Sequence, residues 1–132
     1  MIKNNEINIP ISTGELVDKI TILKIKKKKI NNKLKLNNIL KELSLLNKIY
    51  NSSFKKRKKL SLYEKELMKI NKALWDIEDK IRLLESKKNF NKEFISLARA
   101  VYIKNDERSK IKKKINLLTG SNLIEEKSYK SY

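Results

Sequence analysis

The chain has 132 residues and a formal net charge of +18, and it contains neither cysteine nor histidine. The lack of these two residue types excludes disulfides, thiolate nucleophiles, Cys/His zinc sites and imidazole acid–base catalysis. No stretch approaches the roughly 20 apolar residues of a membrane span, and the start, MIKNNEINIP, lacks the apolar run of a signal peptide, so we expect a cytoplasmic protein.

Apolar residues recur every three or four positions through the interior of the chain, which predicts helices. An extended arm is expected over residues 1–11, followed by helix 1 over about 13–30. Ser12 and Glu15 have the spacing of a capping box at the start of this helix. Helix 2 is expected over about 34–50.

The second half of the chain predicts a loop over 51–59, helix 3 over 61–87 and helix 4 over 92–118. Ser61 with Glu64 forms a second possible capping box, Asn91 can cap helix 4, and Gly120 can end it. A tail over 120–132 follows, in which Glu125 and Glu126 are expected to turn back toward the cationic surface.

The predicted fold class is all-α, and the arrangement is an antiparallel four-helix bundle forming a single domain over 1–132. Helices 3 and 4 are expected to pair as a coiled-coil hairpin about 40 Å long. Helices 1 and 2 are shorter and should pack on it as a second hairpin.

Polar residues interrupt the apolar stripes of the helices at corresponding points. Asp18 and Thr21 fall within the apolar run LVDKITIL of helix 1, and the segment NDER interrupts helix 4 at 105–108. The hairpin register places Arg108 in an otherwise apolar stripe, where its guanidinium must find a carboxylate or reach water. Asp18 is the first candidate partner and Asp79 the second.

These interruptions, together with the neighbouring helix 3 segment WDIEDKIR, define a candidate polar site. Its members are Asp18, Thr21, Trp75, Glu78, Asp79, Arg82, Arg99, Tyr102, Asn105, Asp106 and Arg108. Three interpretations remain open: a buried polar layer that fixes helix register, a pocket for a phosphate or carboxylate metabolite, and a catalytic site. No nucleophile–base pair is recognisable, no catalytic residue is assigned, and neither a metal nor a cofactor is expected.

The high positive charge has a compositional explanation. Lysine, isoleucine and asparagine make up 62 of the 132 residues, and lysine outnumbers arginine 29 to 4. All three have A/T-rich codons, whereas phosphate recognition favours arginine. The lysine runs at 26–29, 55–59 and 112–114 are therefore expected to be solvated surface, with only weak, non-specific binding of nucleic acid that fades with salt.

Four sequence blocks resemble an uncharacterised bacterial and phage family, a domain of unknown function. The blocks are GELVDKITIL from Gly14, ALWDIEDKIR from Ala73, LARAVYIKNDERSKIKKKIN from Leu97 and GSNLIEEKSY from Gly120. The resemblance implies no activity, although it suggests an association with cell-surface polysaccharide. It favours a common site at the polar positions.

The leading functional hypothesis is a helical interaction or assembly module that acts through a protein partner or as a homo-oligomer, because apolar stripes are long and reaction chemistry is not apparent. The alternatives are a protein that binds an anionic small molecule, a small all-α enzyme, and a non-specific nucleic-acid binder.

Overall fold

The computed structural model describes residues 5–54 and 57–132, and the elements in these ranges are four α-helices. They are α1 (Thr13–Lys29), α2 (Lys33–Ser53), α3 (Lys58–Ser86) and α4 (Lys92–Thr119). Helices α3 and α4 pack closely as a hairpin, and α1 packs against each of the other three. The predicted all-α bundle is confirmed. None of the described helices is long and apolar enough to cross a membrane.

Several predicted helix ends are confirmed by their capping contacts. The Ser12 hydroxyl accepts the N–H of Glu15 at 3.1 Å, and the Asn91 side chain accepts the N–H of Phe94 at 3.0 Å. Gly120 ends α4 in the left-handed region at φ 65°, which glycine adopts at little cost. The Glu15 carboxylate does not complete the capping box in the expected way, because it accepts a hydrogen bond from Lys112.

The predicted loop over 51–59 is too long, and the capping box assigned to Ser61 and Glu64 is wrong. Helix α2 continues to Ser53 and α3 begins at Lys58, because Leu60 is buried in the core and holds the first turn of α3 in place. Glu64 instead pairs with Lys24 at 3.1 Å. Residues 1–4 of the predicted arm, and residues 55 and 56 of the loop and its lysine run, lie outside the described residues.

The core consists of two apolar clusters on opposite sides of α1. One cluster joins α1 to α2 through Leu16, Ile20, Leu23, Ile39 and Leu43. The other joins α1 to the hairpin through Val17, Leu60, Leu67, Ile111 and Ile115. The half-buried rings of Tyr50 and Phe54 pack against both clusters. Helix α1 is therefore the central element, and α2 lies on its outer side. The expectation that helix 2 packs on the hairpin is wrong for most of its length, because within the described ranges α2 packs against α1 and reaches the second cluster only through Tyr50 and Phe54.

Helix α1 covers only part of the hairpin. It has 17 residues, against 29 in α3 and 28 in α4, so it is about 25 Å long beside a hairpin of about 43 Å. Its last residue, Lys29, lies 3.8 Å from Asp76 of α3. Beyond this point the hairpin extends without α1.

Candidate functional site

A fully buried carboxylate lies at the centre of the α1–hairpin interface. Asp18 accepts a hydrogen bond from Nε of Arg108 at 3.0 Å on one oxygen and a second from Nη2 on the other. This two-point contact is the strongest geometry available to an arginine and a carboxylate. It also forms the pair expected from the two interrupted apolar stripes.

Two uncharged side chains complete the surroundings of Asp18. The amide of Asn71 donates to the Asp18 carboxylate at 2.9 Å and to the hydroxyl of Thr21 at 2.9 Å. Thr21 in turn donates to the backbone carbonyl of Asp18 at 2.7 Å. Because Asp18, Thr21 and Asn71 each have a hydrogen-bond partner, this network does not incur the cost of an unpaired buried charge.

Hydrogen bonding to Asp18 is the largest influence on the ionisation of Arg108. It raises the pKa of the guanidinium above its usual value, against the opposing effect of burial, while the negative charges of Asp18, Glu15 and Glu125 add to the increase. The arginine is therefore a permanent cation. It is fixed on one side by Asp18, and 28% of its side chain remains exposed.

A second ionic layer lies one helical turn further along α4. Lys112 has only 8% of its side chain exposed and lies near three carboxylates, two of α1 and one of the tail. It lies 2.8 Å from Glu15 of α1, 3.4 Å from Glu125 of the tail and 3.9 Å from Asp18. The expectation that the run 112–114 is entirely solvated surface is wrong at Lys112, because α1 and the tail both close over it.

The C-terminal tail follows α4 back along its surface. Glu126 lies 3.2 Å from the exposed Lys113, and the hydroxyl of Tyr132 donates to Asp106 at 2.7 Å. The ring of Tyr132 also meets Tyr102 edge-on, with 5.1 Å between the centroids. The expected return of the acidic tail to the cationic helix is confirmed.

The close approach of α1 to α4 requires glycine at position 14. A Cβ atom on Gly14 would lie 2.5 Å from the backbone oxygen of Lys112 and 2.9 Å from Oδ1 of Asn116. The same Asn116 oxygen accepts the backbone N–H of Gly14 at 2.6 Å. Gly14 therefore sets the helix separation at which Asp18 and Arg108 meet.

An open cleft of about 550 Å³ adjoins the buried network, between the second half of α1 and the hairpin. We call it the Trp75 cleft, and its lining residues are Ile22, Ile25, Asn71, Leu74, Trp75, Glu78, Asp79, Arg82, Asn105 and Arg108. The Arg108 guanidinium forms its base and donates to Asn105 at 3.3 Å. On α3, Arg82 donates to Glu78 at 3.0 Å. The cleft thus combines an apolar and aromatic wall with polar groups, of which Arg108 is fixed by the buried Asp18.

The structure divides the eleven predicted site residues into three groups. Asp18 and Thr21 belong to the buried network, and six others line the Trp75 cleft: Trp75, Glu78, Asp79, Arg82, Asn105 and Arg108. The remaining three lie outside it. Tyr102 and Asp106 contact the tail, and Arg99 is exposed on α4.

Sequence reasoning missed four residues that build the site. Asn71 lies in helix 3 ahead of the segment WDIEDKIR, and Lys112 lies in a lysine run. Gly14 was noted as the first residue of a sequence block, and Asn116 carried no signal of its own. The sequence did contain one signal for Lys112 and Asn116. Residues 105, 108, 112 and 116 are spaced three or four apart, which places them on the same face of α4.

The comparisons with known proteins identify a family for this chain but no activity. The model of a family described as "Family of unknown function (DUF6165)" matches residues 7–132, almost the whole chain. No curated protein and no solved structure matches the chain.

Proposed function

The chain belongs to this family of unknown function, and we propose from the geometry of its site that it binds a small polar molecule in the Trp75 cleft. The observation that carries the proposal is the state of Arg108. Its guanidinium is fixed by the buried Asp18, yet it remains partly exposed at the base of a cleft. A purely structural ion pair needs no cleft above it, whereas a binding site needs polar groups that are already in position.

The charges of the Trp75 cleft favour a ligand with little net charge. Its lining includes two carboxylates, Glu78 and Asp79, and two guanidiniums, Arg82 and Arg108. Arg82 is paired with Glu78, and Arg108 with Asp18. This balance argues against the phosphate or dicarboxylate metabolite considered from the sequence. A multiply charged anion would be repelled by Asp79, and both cations of the cleft are already neutralised by their own carboxylates.

The hydrogen-bonding groups favour a ligand that both donates and accepts. Bonds to Asp18 and Asn105 use three of the five N–H groups of Arg108, so two are left for a ligand as far as the described residues show. The carboxylate of Asp79 offers acceptors nearby, and the half-buried Trp75 offers an apolar face. Sugars have these properties, in keeping with the association with cell-surface polysaccharide that the resemblance suggests.

A thermal-shift screen tests the proposal, because a ligand that binds the folded chain raises its melting temperature. The panel compares neutral sugars, amino acids, phosphorylated sugars and dicarboxylates. The test variant is Asp79→Ala. Its matched control is Asp76→Ala, which removes the same charge from an exposed position one turn earlier in α3 and outside the cleft.

We expect a neutral or zwitterionic compound to raise the melting temperature of the parent and of Asp76→Ala, but not that of Asp79→Ala. Two results would contradict the proposal. One is a ligand whose effect is the same in both variants, since it must bind elsewhere. The other is a largest shift from a multiply charged anion, which would overturn the assigned ligand class.

A further inference from the structure

The part of the hairpin beyond α1 is an uncovered surface with apolar side chains. We call it the distal hairpin and define it as residues 76–101, from the level of the last residue of α1 through the turn. Six of its apolar side chains remain half-buried: Ile77, Ile81, Leu84, Phe94, Leu97 and Val101. Leu83, Phe90 and Ile95 are more than half exposed.

The face of α4 that binds α1 continues along the distal hairpin. Lys112 and Arg108 contact α1 directly, and Asn105 lies beside Arg108 in the cleft. Toward the N-terminus of α4, the next residues on this face at the same spacing of three to four are Val101 and Ala98. Val101 is half-buried and Ala98 exposed, so among the described residues the groove that α1 fills at one end of the hairpin is vacant at the other.

The distal hairpin is also nearly neutral in a strongly basic chain. It contains five acidic and six basic side chains, so it carries +1 while the rest of the chain carries +17 of the total +18. Two like-charged molecules repel least where their local charge is smallest. A second copy of this chain is therefore better tolerated here than elsewhere, whereas an acidic partner would favour the lysine-rich surfaces.

We propose that the distal hairpins of two copies pack against each other in an antiparallel, two-fold symmetric dimer. Each pair of helices fills the groove of the other copy beyond the Trp75 cleft, along Val101 and Ala98 of α4, so the contact becomes a four-helix arrangement. The surface is about 20 Å long and two helices wide, which gives on the order of 500 Å² per copy. An interface of this size is small, so the dimer is weak and reversible.

Sedimentation velocity over the micromolar concentration range tests the dimer. The variant Ala98→Glu places a charge in the groove, and Ser96→Glu is its matched control, since it adds the same charge on the opposite side of α4. Both positions are exposed in the single chain, so neither change should unfold it. Ile95→Glu is a second groove variant in case Ala98→Glu alters the melting temperature of dilute protein.

We expect the parent to form a dimer that tightens as salt is added, because salt screens the repulsion between the basic bodies. Ala98→Glu should weaken the dimer by about tenfold or more, as burying an unpaired charge costs more than 1.4 kcal/mol, and Ser96→Glu should leave it unchanged. A parent that remains monomeric at high salt, a dimer that salt dissociates, or equal weakening by both variants would overturn the proposal.

Discussion

Arg108 contacts both carboxylate oxygens of Asp18, a residue that lies 90 positions earlier in the sequence and is completely buried. The pair joins α1 to α4 at the level where the Trp75 cleft opens. It therefore has two consequences that can be separated by experiment. It holds the helices in register, and it fixes the direction in which the exposed part of the guanidinium points.

The first prediction concerns the stability of this pair. Arg108→Ala leaves Asp18 buried without its main counter-ion and should lower the free energy of unfolding by roughly 3 kcal/mol. The lower end of the usual range is expected because Lys112 remains 3.9 Å from Asp18. The double variant Asp18→Leu/Arg108→Leu should lose much less, since no charge is stranded. Urea unfolding measures both, and a single variant as stable as the parent would show that the pair is not required.

Sequence spacing predicted this pair because both residues interrupt apolar stripes that must face each other. The same reasoning could not find Asn71 or Lys112. The burial of Lys112 depends on Glu15 and Glu125, two carboxylates that only the folded chain brings to it. The end of α2 was also missed, because tertiary packing of Phe54 and Leu60 extends helices through a stretch that resembles a loop.

The second prediction concerns the lysine run 112–114, in which Lys112 is buried and the adjacent Lys113 is exposed. Lys112→Ala removes a buried cation from three carboxylates and should lower the free energy of unfolding by about 1–3 kcal/mol. Lys113→Ala is the matched control, because Lys113 is exposed and its bridge to Glu126 contributes at most about 1 kcal/mol. Equal effects in urea unfolding would contradict the buried environment of Lys112.

The third prediction concerns Gly14, where the sign of the change in stability on replacement by alanine shows whether α1 and α4 are in close contact. Replacing a helical glycine by alanine usually stabilises a protein by roughly 0.5–1 kcal/mol. Gly14→Ala should instead destabilise this chain by about 1–3 kcal/mol, since the new Cβ meets the backbone of α4 and must push the helices apart. A rise in the melting temperature would show that α1 and α4 are not in close contact.

The fourth prediction concerns alkaline pH. Burial, reinforced by the negative charge of Glu64, raises the pKa of Tyr50 from 10.0 to about 12. The folded chain thus favours the neutral phenol, and the stability linked to it is complete below pH 10 and lost as the pH rises toward 12. The free energy of unfolding of Tyr50→Phe should fall less steeply with pH over this interval than that of the parent. An identical slope in parent and variant would mean that Tyr50 titrates normally.

The most direct test of the proposed binding site uses the double variant Asp18→Leu/Arg108→Leu with the compound that gives the largest thermal shift in the parent. The variant should keep its helical circular dichroism and unfold cooperatively, because two apolar side chains replace a buried pair. Isothermal titration calorimetry should then detect binding to the parent and none to the variant, since the oriented guanidinium is gone. Unchanged affinity in the folded double variant would contradict the claim that Asp18 positions Arg108 to bind a ligand.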